Sequence, residues 1–517
     1  MTCAVTAHLS LRAVFDRFAG HTGLAYWHED GQLSYRDLHK AASRLAARLA
    51  GNGSGPVLIH GHKDRRFLIA YWACLLSGRT IVPVELDQRS ERIRQIARVS
   101  GATLALFAAP GSLPGRVGDL PAWPVEIEAP APGWVHVDGI ASDAAPVLPE
   151  IRDTAAAYVL FSSGTTGQPK GIAISYGNLA DFADWAGTLL AGMDPTGCIS
   201  GNVRYCFDVS LFEMWFAWLS LRPIVAPDHR DIFNIRKHLD RYRDHKLTTW
   251  VSTPALALHW LKDRRFDAGT LPDLHTMLFC GEVLTKSLVE TLWSRFPGLR
   301  IINTYGPTEC TVAVTSIEIR PEHLADSRPL PIGPPRTGTR LRRASAASGL
   351  DELIIEGKSV GLGYLGDPER QASAFPAAAT YRTGDWGDCD GMGNWFFAGR
   401  KDREIKLNGY RIDLNILEAA LRGIDGVKDA VVDLHPNGKQ LRAFLLGPTG
   451  RDALLAIGRR LGRDMAPHMV PKLWYGADGF EMNANSKLDR GRFVERLEGG
   501  TPAVYVERET SGTVAAE

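Results

Sequence analysis

The sequence predicts an α/β protein built from more than one domain. Three observations carry that reading. The chain has 517 residues, more than one hydrophobic core usually organises. Between residues 34 and 85 a segment of helical period is followed in quick succession by strand, helix and strand, which is the pattern of a parallel sheet with crossovers. The same alternation returns from about residue 155 to 330.

The elements follow in order. In "LSYRDLHKAASRLAARLAGNGSG" apolar residues recur at helical spacing, Ser34 is placed to cap the start, and Gly51 and Gly53 mark the stop. "PVLIHG" reads as a buried strand, "RRFLIAYWACLLSG" as a helix and "TIVPVE" as the next strand. Residues 108–150 are rich in Pro, Gly and Ala and read as surface loops and short strands linking two subdomains. "TTWVSTPALALHWL", "LHTMLFCGEVL" and "LRIINTYGPTE" each carry a strand-like run that ends at a polar or glycine-containing loop. "GRKDREIKLNGYRIDLNILEAALRGIDGVKDAVV" reads as a hairpin, a helix and a strand. The domain expectation is therefore a large N-terminal body over 1–400, a small α+β domain over 401–495, and a fraying tail over 496–517.

Composition narrows the function classes. Hydrophobic residues make up 45% and charged residues 23%, ordinary for a globular protein. A formal net charge of +1 gives no bulk attraction to nucleic acid or anionic membrane. No secretory leader or membrane-spanning run is read. The seven cysteines are scattered without a CxxC pair, so reduced thiols in a cytoplasmic protein are expected, with neither a disulfide framework nor a structural zinc site.

Chemistry first appears in "FSSGTTGQPKG", residues 161–171. Small and polar residues follow a buried strand, so backbone N–H groups and hydroxyls are able to converge on an anion while Lys170 adds a full charge. A surface turn with a solvated lysine is the plain alternative. It is not a Walker A loop: two residues, not four, separate Gly164 from Gly167, and Gly171 rather than Ser or Thr follows Lys170.

The string resembles the phosphate loop of the adenylate-forming (ANL) superfamily, which includes acyl-CoA synthetases, luciferases and nonribosomal peptide adenylation domains. Further motifs in that family's order extend the resemblance over residues 10 to 495. It implies the ANL fold, a large multi-subdomain N-terminal domain with mixed and parallel sheets plus a small mobile C-terminal lid, and ATP and Mg²⁺ as cofactors. Ser162, Ser163, Gly164, Thr165, Thr166, Gly167 and Lys170 are then the phosphate loop. In "NTYGPTE" the resemblance gives Tyr305 to adenine, Thr308 to phosphate and Glu309 to Mg²⁺. In "YRTGDWG" it gives Asp385 to the ribose hydroxyls, a task suited to a carboxylate because it only accepts hydrogen bonds. Arg400 corresponds to an arginine that reaches the nucleotide, and Asp402 to the hinge about which the lid rotates. In "NANSKLDR", Lys487 matches the catalytic lysine, although Ser486 stands where the family usually has glycine. In "DELIIEG" Asp351 likewise replaces a usual glycine.

"YCFDVSLFEMW" resembles the pocket motif of members that activate amino acids, with Asp208 pairing the substrate ammonium. The alternative is an aspartate that caps the following helix. "FCGEVL" and "RIINTYGPTECTVAVTSIEI" are similar to the D-alanine–carrier protein ligases. By motif position Val209, Phe212, Leu278, Cys280, Thr304, Val312 and Ala313 line the side-chain pocket, and Phe212 implies a shallow one. Cys280 has the plain alternative of a buried structural thiol. Only thirty residues follow Lys487, less than a carrier domain needs, so a separate partner with a phosphopantetheine arm is expected. The expected activity is ATP-dependent adenylation of a small, alanine-like amino acid and its transfer to that thiol. An acyl-CoA synthetase and a catalytically silent nucleotide-binding homologue are the alternatives.

Overall fold

The computed structural model describes residues 10–29, 31–109, 116–125, 149–163, 169–227, 234–326, 328–345, 351–400, 404–427, 429–447, 450–477, 494 and 504–505. The chain divides into two compact units, Met1–Ser162 with Pro169–Lys401, and Ser163–Gln168 with Asp402–Glu517.

The local signals of the first unit act as expected. The helix Tyr35–Ala50 begins where the Ser34 side chain accepts from the Asp37 amide and ends at Gly51. The strand Val57–Gly61, the helix Arg65–Leu76 and the strand Ile81–Val84 form a parallel crossover, with Val57 opposite Ile81. Every residue of Ile81–Val84 is buried, which is why this stretch reads as a continuous apolar run rather than an alternation. The strand Leu247–Ser252 departs from the expected loop. Thr253 caps a helix directly, its side chain accepting from the Leu256 amide, and Pro254 occupies the first helical turn of Pro254–Trp260.

Two eight-stranded sheets and an antiparallel four-stranded sheet result. In one large sheet the strands Leu247–Ser252, Thr276–Phe279 and Arg300–Tyr305 run parallel and side by side, and Thr315–Ile319 closes the edge antiparallel. In the other, Pro169–Ser175 is flanked by Ala156–Ser163 in the strand order and pairs antiparallel with Gly363–Leu365. The main core lies where helices of both sheets meet. Trp72 of Arg65–Leu76 packs on Trp215 and Trp218 of the helix Ser210–Ser220, with ring centroids 5.8 and 4.8 Å apart. Tyr35 anchors the helix Tyr35–Ala50 to the same region by donating to the Ala217 carbonyl at 2.7 Å.

The second unit is a small α+β body. The hairpin Glu404–Leu407 and Tyr410–Asp413 turns through Asn408 and Gly409, both at positive φ as a tight hairpin demands. The helices Leu414–Arg422 and Arg451–Asp464 cover a four-stranded sheet, with Leu417, Leu454 and Trp474 in its core. The sheet corrects one expectation. Val504–Tyr505, within the segment read as a frayed tail, forms a short strand on Leu473–Ala477 because its backbone completes the edge of that sheet. Among the described residues no helix is long and apolar enough to cross a membrane.

Candidate functional site

Lys170, Tyr305, Glu309 and Asp385 all lie in the first unit. The strand Ala156–Ser163 runs into the glycine-rich loop; Gly164, Thr165, Thr166 and Gly167, and the side chains of Ser162 and Ser163, lie outside the described residues. The chain re-enters at Pro169–Ser175, a strand buried at every position, so Lys170 is only 5% exposed. Its ammonium lies 3.4 Å from the Glu309 carboxylate, which is 0% exposed on the short 3₁₀ turn Thr308–Cys310. Register brings a third group to this pair. Tyr364 sits opposite Ile172, two residues along from Lys170 on the same face. The Lys170 nitrogen lies 4.0 Å from the Tyr364 ring centroid, and the Tyr364 hydroxyl donates to Glu309 Oε1 at 2.7 Å. Burial, then the Glu309 charge, pushes the Tyr364 phenol far above its ordinary range, so it stays a donor.

A second pair stands at the end of the strand Arg300–Tyr305. The Tyr305 hydroxyl donates to Asp385 Oδ2 at 2.6 Å. Asp385 is buried, and its amide donates to the Thr383 hydroxyl. Arg400 faces Asp385 across the antiparallel pair of strands, while its side chain lies outside the described residues.

The expected amino-acid pocket residues assemble around the loop that joins these pairs. Val314 N–H donates to the Tyr305 carbonyl at 2.7 Å and closes a tight loop over Gly306–Ala313. Thr311 and Val312 hold positive φ of 58° and 71°, a costly conformation for β-branched residues. The surroundings over-determine it. Thr311 Oγ1 donates to the Ser359 carbonyl, Gly361 N–H to the Glu309 carbonyl, and Cys280 Sγ lies 4.0 Å from the Val312 carbonyl. Thr304 Oγ1 donates to the Phe279 carbonyl. A Cβ on Gly281 would lie 3.9 Å from Val209, so the Cys280 loop and the start of Ser210–Ser220 are neighbours. Val209, Phe212, Leu278, Cys280, Val312 and Ala313 share one core cluster, and Phe212 packs on Phe182 at 5.1 Å.

Asp208 is 7% exposed at the turn before Ser210–Ser220. The N-cap of that helix is Val209, without a side-chain capping bond, and Ser210 Oγ donates to the Phe207 carbonyl instead. The Tyr158 phenol is raised by burial first and by the Asp208 charge second, so the two side chains are close enough to interact.

The candidate lid residues Asp402 and Lys487 lie outside the described residues. Three participants were missed from sequence. Tyr364 carries no local signal, because only strand register brings it to Lys170. Tyr381, whose hydroxyl is 3.2 Å from that of Tyr364, is equally silent. Glu213 did leave a trace, as the lone acid in the apolar run "SLFEMWFAWL".

The family model described as AMP-binding enzyme matches residues 11–365. The chain belongs to that family. Among curated proteins it is similar to the D-alanine–D-alanyl carrier protein ligase of Bacillus licheniformis, 31% identical over 495 residues, covering 92% of this chain and 96% of the relative. The ligase of the same name from Bacillus velezensis is 32% identical over 498 residues, covering 90% and 95%. Among solved structures, holo-PA1221, an NRPS protein containing adenylation and PCP domains, superposes with a TM-score of 0.77 at 26% identity, covering 95% of this chain and 84% of that one. The Vibrio cholerae adenylation domain AlmE matches at a TM-score of 0.77 and 20% identity, covering 97% of this chain and 100% of that one, a likeness of fold.

Proposed function

We propose that this AMP-binding enzyme uses ATP to adenylate a small amino acid of the alanine type, D-alanine among the candidates, and passes the aminoacyl group to the phosphopantetheine thiol of a separate carrier protein. The observation that carries the reading is Asp208. A buried acid beside apolar neighbours suits an ammonium group, which fatty and aryl acids lack, and the Bacillus licheniformis ligase named above aligns over 92% of this chain and 96% of its own length. Cytoplasmic residence fits a reaction that consumes ATP.

The residues fit a magnesium–nucleotide complex. Among the described residues no cluster of three or more His, Cys, Asp or Glu holds a metal by itself. Glu309 offers one buried carboxylate, which is the usual protein share for Mg²⁺ when phosphate oxygens and water supply the rest. When bound, Mg²⁺ would neutralise phosphate charge.

This chain's own groups then divide the work. Lys170 sets a cation against the phosphates and lessens their repulsion of the incoming carboxylate. Asp385, held by Tyr305, takes the ribose hydroxyls. Asp208 fixes the ammonium, and the wall of Val209, Cys280, Val312 and Ala313 limits side-chain size. A carboxylate oxygen of the amino acid bonds to the α-phosphorus, the bond to the pyrophosphate oxygen breaks, and aminoacyl-AMP and pyrophosphate form. The carrier thiol gives up its proton to solvent, its sulfur attacks the carbonyl carbon, and AMP departs with the bonding pair. Lys487, by its motif, stabilises the first step; Arg400 contacts the nucleotide, and Asp402 is the hinge that exchanges the lid between steps.

ATP–pyrophosphate exchange across a panel of D- and L-amino acids tests the proposal. Exchange with a small amino acid, followed by loading of a phosphopantetheinylated carrier but not free CoA, is expected. No exchange with any amino acid would remove the reading.

A further inference from the structure

The reading just given leaves Tyr364 without a task, yet it touches both charges of the nucleotide site. Its position is built with care. Strand pairing sets Tyr364 opposite Ile172, and its amide donates to Gln371 Oε1 at 2.7 Å. Phe375 packs edge-on against its ring with centroids 5.2 Å apart, and the Tyr381 hydroxyl lies 3.2 Å from its own. The ring and hydroxyl are thereby fixed from three sides, and they point at Lys170 and Glu309.

A buried tyrosine needs only some acceptor, so core packing is the plain account. Two features exceed it. The Lys170–Glu309 separation of 3.4 Å is longer than the 2.7–2.9 Å of a tight charge-assisted bond. The lysine is therefore held by the ring face as well as by the carboxylate, so its ammonium keeps a contact when the two charges part. The Tyr364 hydroxyl also reaches the same oxygen, Oε1, that faces Lys170, so the carboxylate keeps its aim when the lysine turns elsewhere.

We propose that Tyr364 is a positioning residue of the nucleotide site. Its hydroxyl aims the Glu309 carboxylate at the cation that accompanies ATP, and its ring carries the Lys170 ammonium toward the phosphates. This rests on the reading that Glu309 and Lys170 serve Mg·ATP.

The test is equilibrium ATP binding by titration calorimetry on the full chain, in excess Mg²⁺ and again in EDTA. Tyr364→Phe removes the hydroxyl and keeps the ring. It is expected to weaken binding in Mg²⁺ roughly tenfold, as for a lost hydrogen bond to a charged group, and to leave binding in EDTA within about twofold. Tyr364→Leu removes both and is expected to weaken binding in EDTA as well. Tyr381→Phe spares the bond to Glu309 and should change neither by more than about twofold. The inference is overturned if Tyr364→Phe binds like the parent in Mg²⁺, or if it weakens binding equally in both buffers, the mark of general damage. Should Tyr364→Leu fail to fold, the phenylalanine variant still decides. If ATP binding by the unaltered protein gains nothing from Mg²⁺, the assignment of Glu309 falls, and this inference falls with it.

Discussion

Glu213 offers a sharp test of the electrostatics beside the proposed amino-acid site. It lies in the first turn of Ser210–Ser220 and is 0% exposed. Its Oε1 accepts from the Asn202 amide at 2.6 Å and from the Val203 amide and Ser200 hydroxyl at 3.3 Å each. It thus ties the helix that follows Asp208 to the loop that precedes it. Burial pushes its carboxyl up to about 8, although the Lys63 charge and the two backbone donors oppose the shift. The unfolded value is near 4.5. Between these values the folded chain holds a proton that the unfolded chain has released, so stability falls as pH rises through that window and levels off above it. The slope is at most about 1.4 kcal/mol per pH unit. Glu213→Gln keeps one acceptor for the backbone and cannot titrate. Urea midpoints from pH 5.5 to 8.5 should therefore show the parent losing roughly 3 kcal/mol relative to Glu213→Gln, with other titrations cancelling in the difference. Tryptophan fluorescence suits the assay, because all thirteen tryptophans except Trp474 lie in the first unit. Parallel curves for the two proteins would mean that Glu213 is ionised throughout, and the argument from burial would fail.

Three further outcomes are expected. Asp208→Asn keeps the shape and removes the charge, so the amino-acid KM in pyrophosphate exchange should rise at least 100-fold, in line with the roughly 3–5 kcal/mol for breaking a buried pair, while ATP binding holds. An unchanged KM would place the ammonium elsewhere. Gly306→Ala would put a Cβ 2.4 Å from Ala313 Cα and 2.8 Å from Val314 N. Both are backbone atoms of the closed loop, so thermal stability should drop by about 1–3 kcal/mol and ATP affinity should fall with it. Asp385→Asn trades an acceptor for a donor and should weaken ATP binding about tenfold; 2′-deoxy-ATP should lose less than ATP, and equal losses would separate Asp385 from the ribose.

Short-range chemistry was legible in the sequence alone. Ser34 and Gly51 bounded a helix because capping and chain reversal act within a turn, and the buried run Val57–Gly61 read as a strand because a short continuous apolar stretch is itself a local signal. The motif strings marked Lys170, Glu309, Tyr305, Asp385 and Asp208 as one set, since each string is contiguous. Tertiary structure alone decided which of them touch. Lys170 and Glu309 are 139 residues apart, and Tyr364 reaches both only through strand register and the seat supplied by Gln371 and Phe375. The strained Thr311–Val312 turn and the buried Glu213 each break a local rule, and only the long-range contacts that surround them make those conformations and protonation states tolerable.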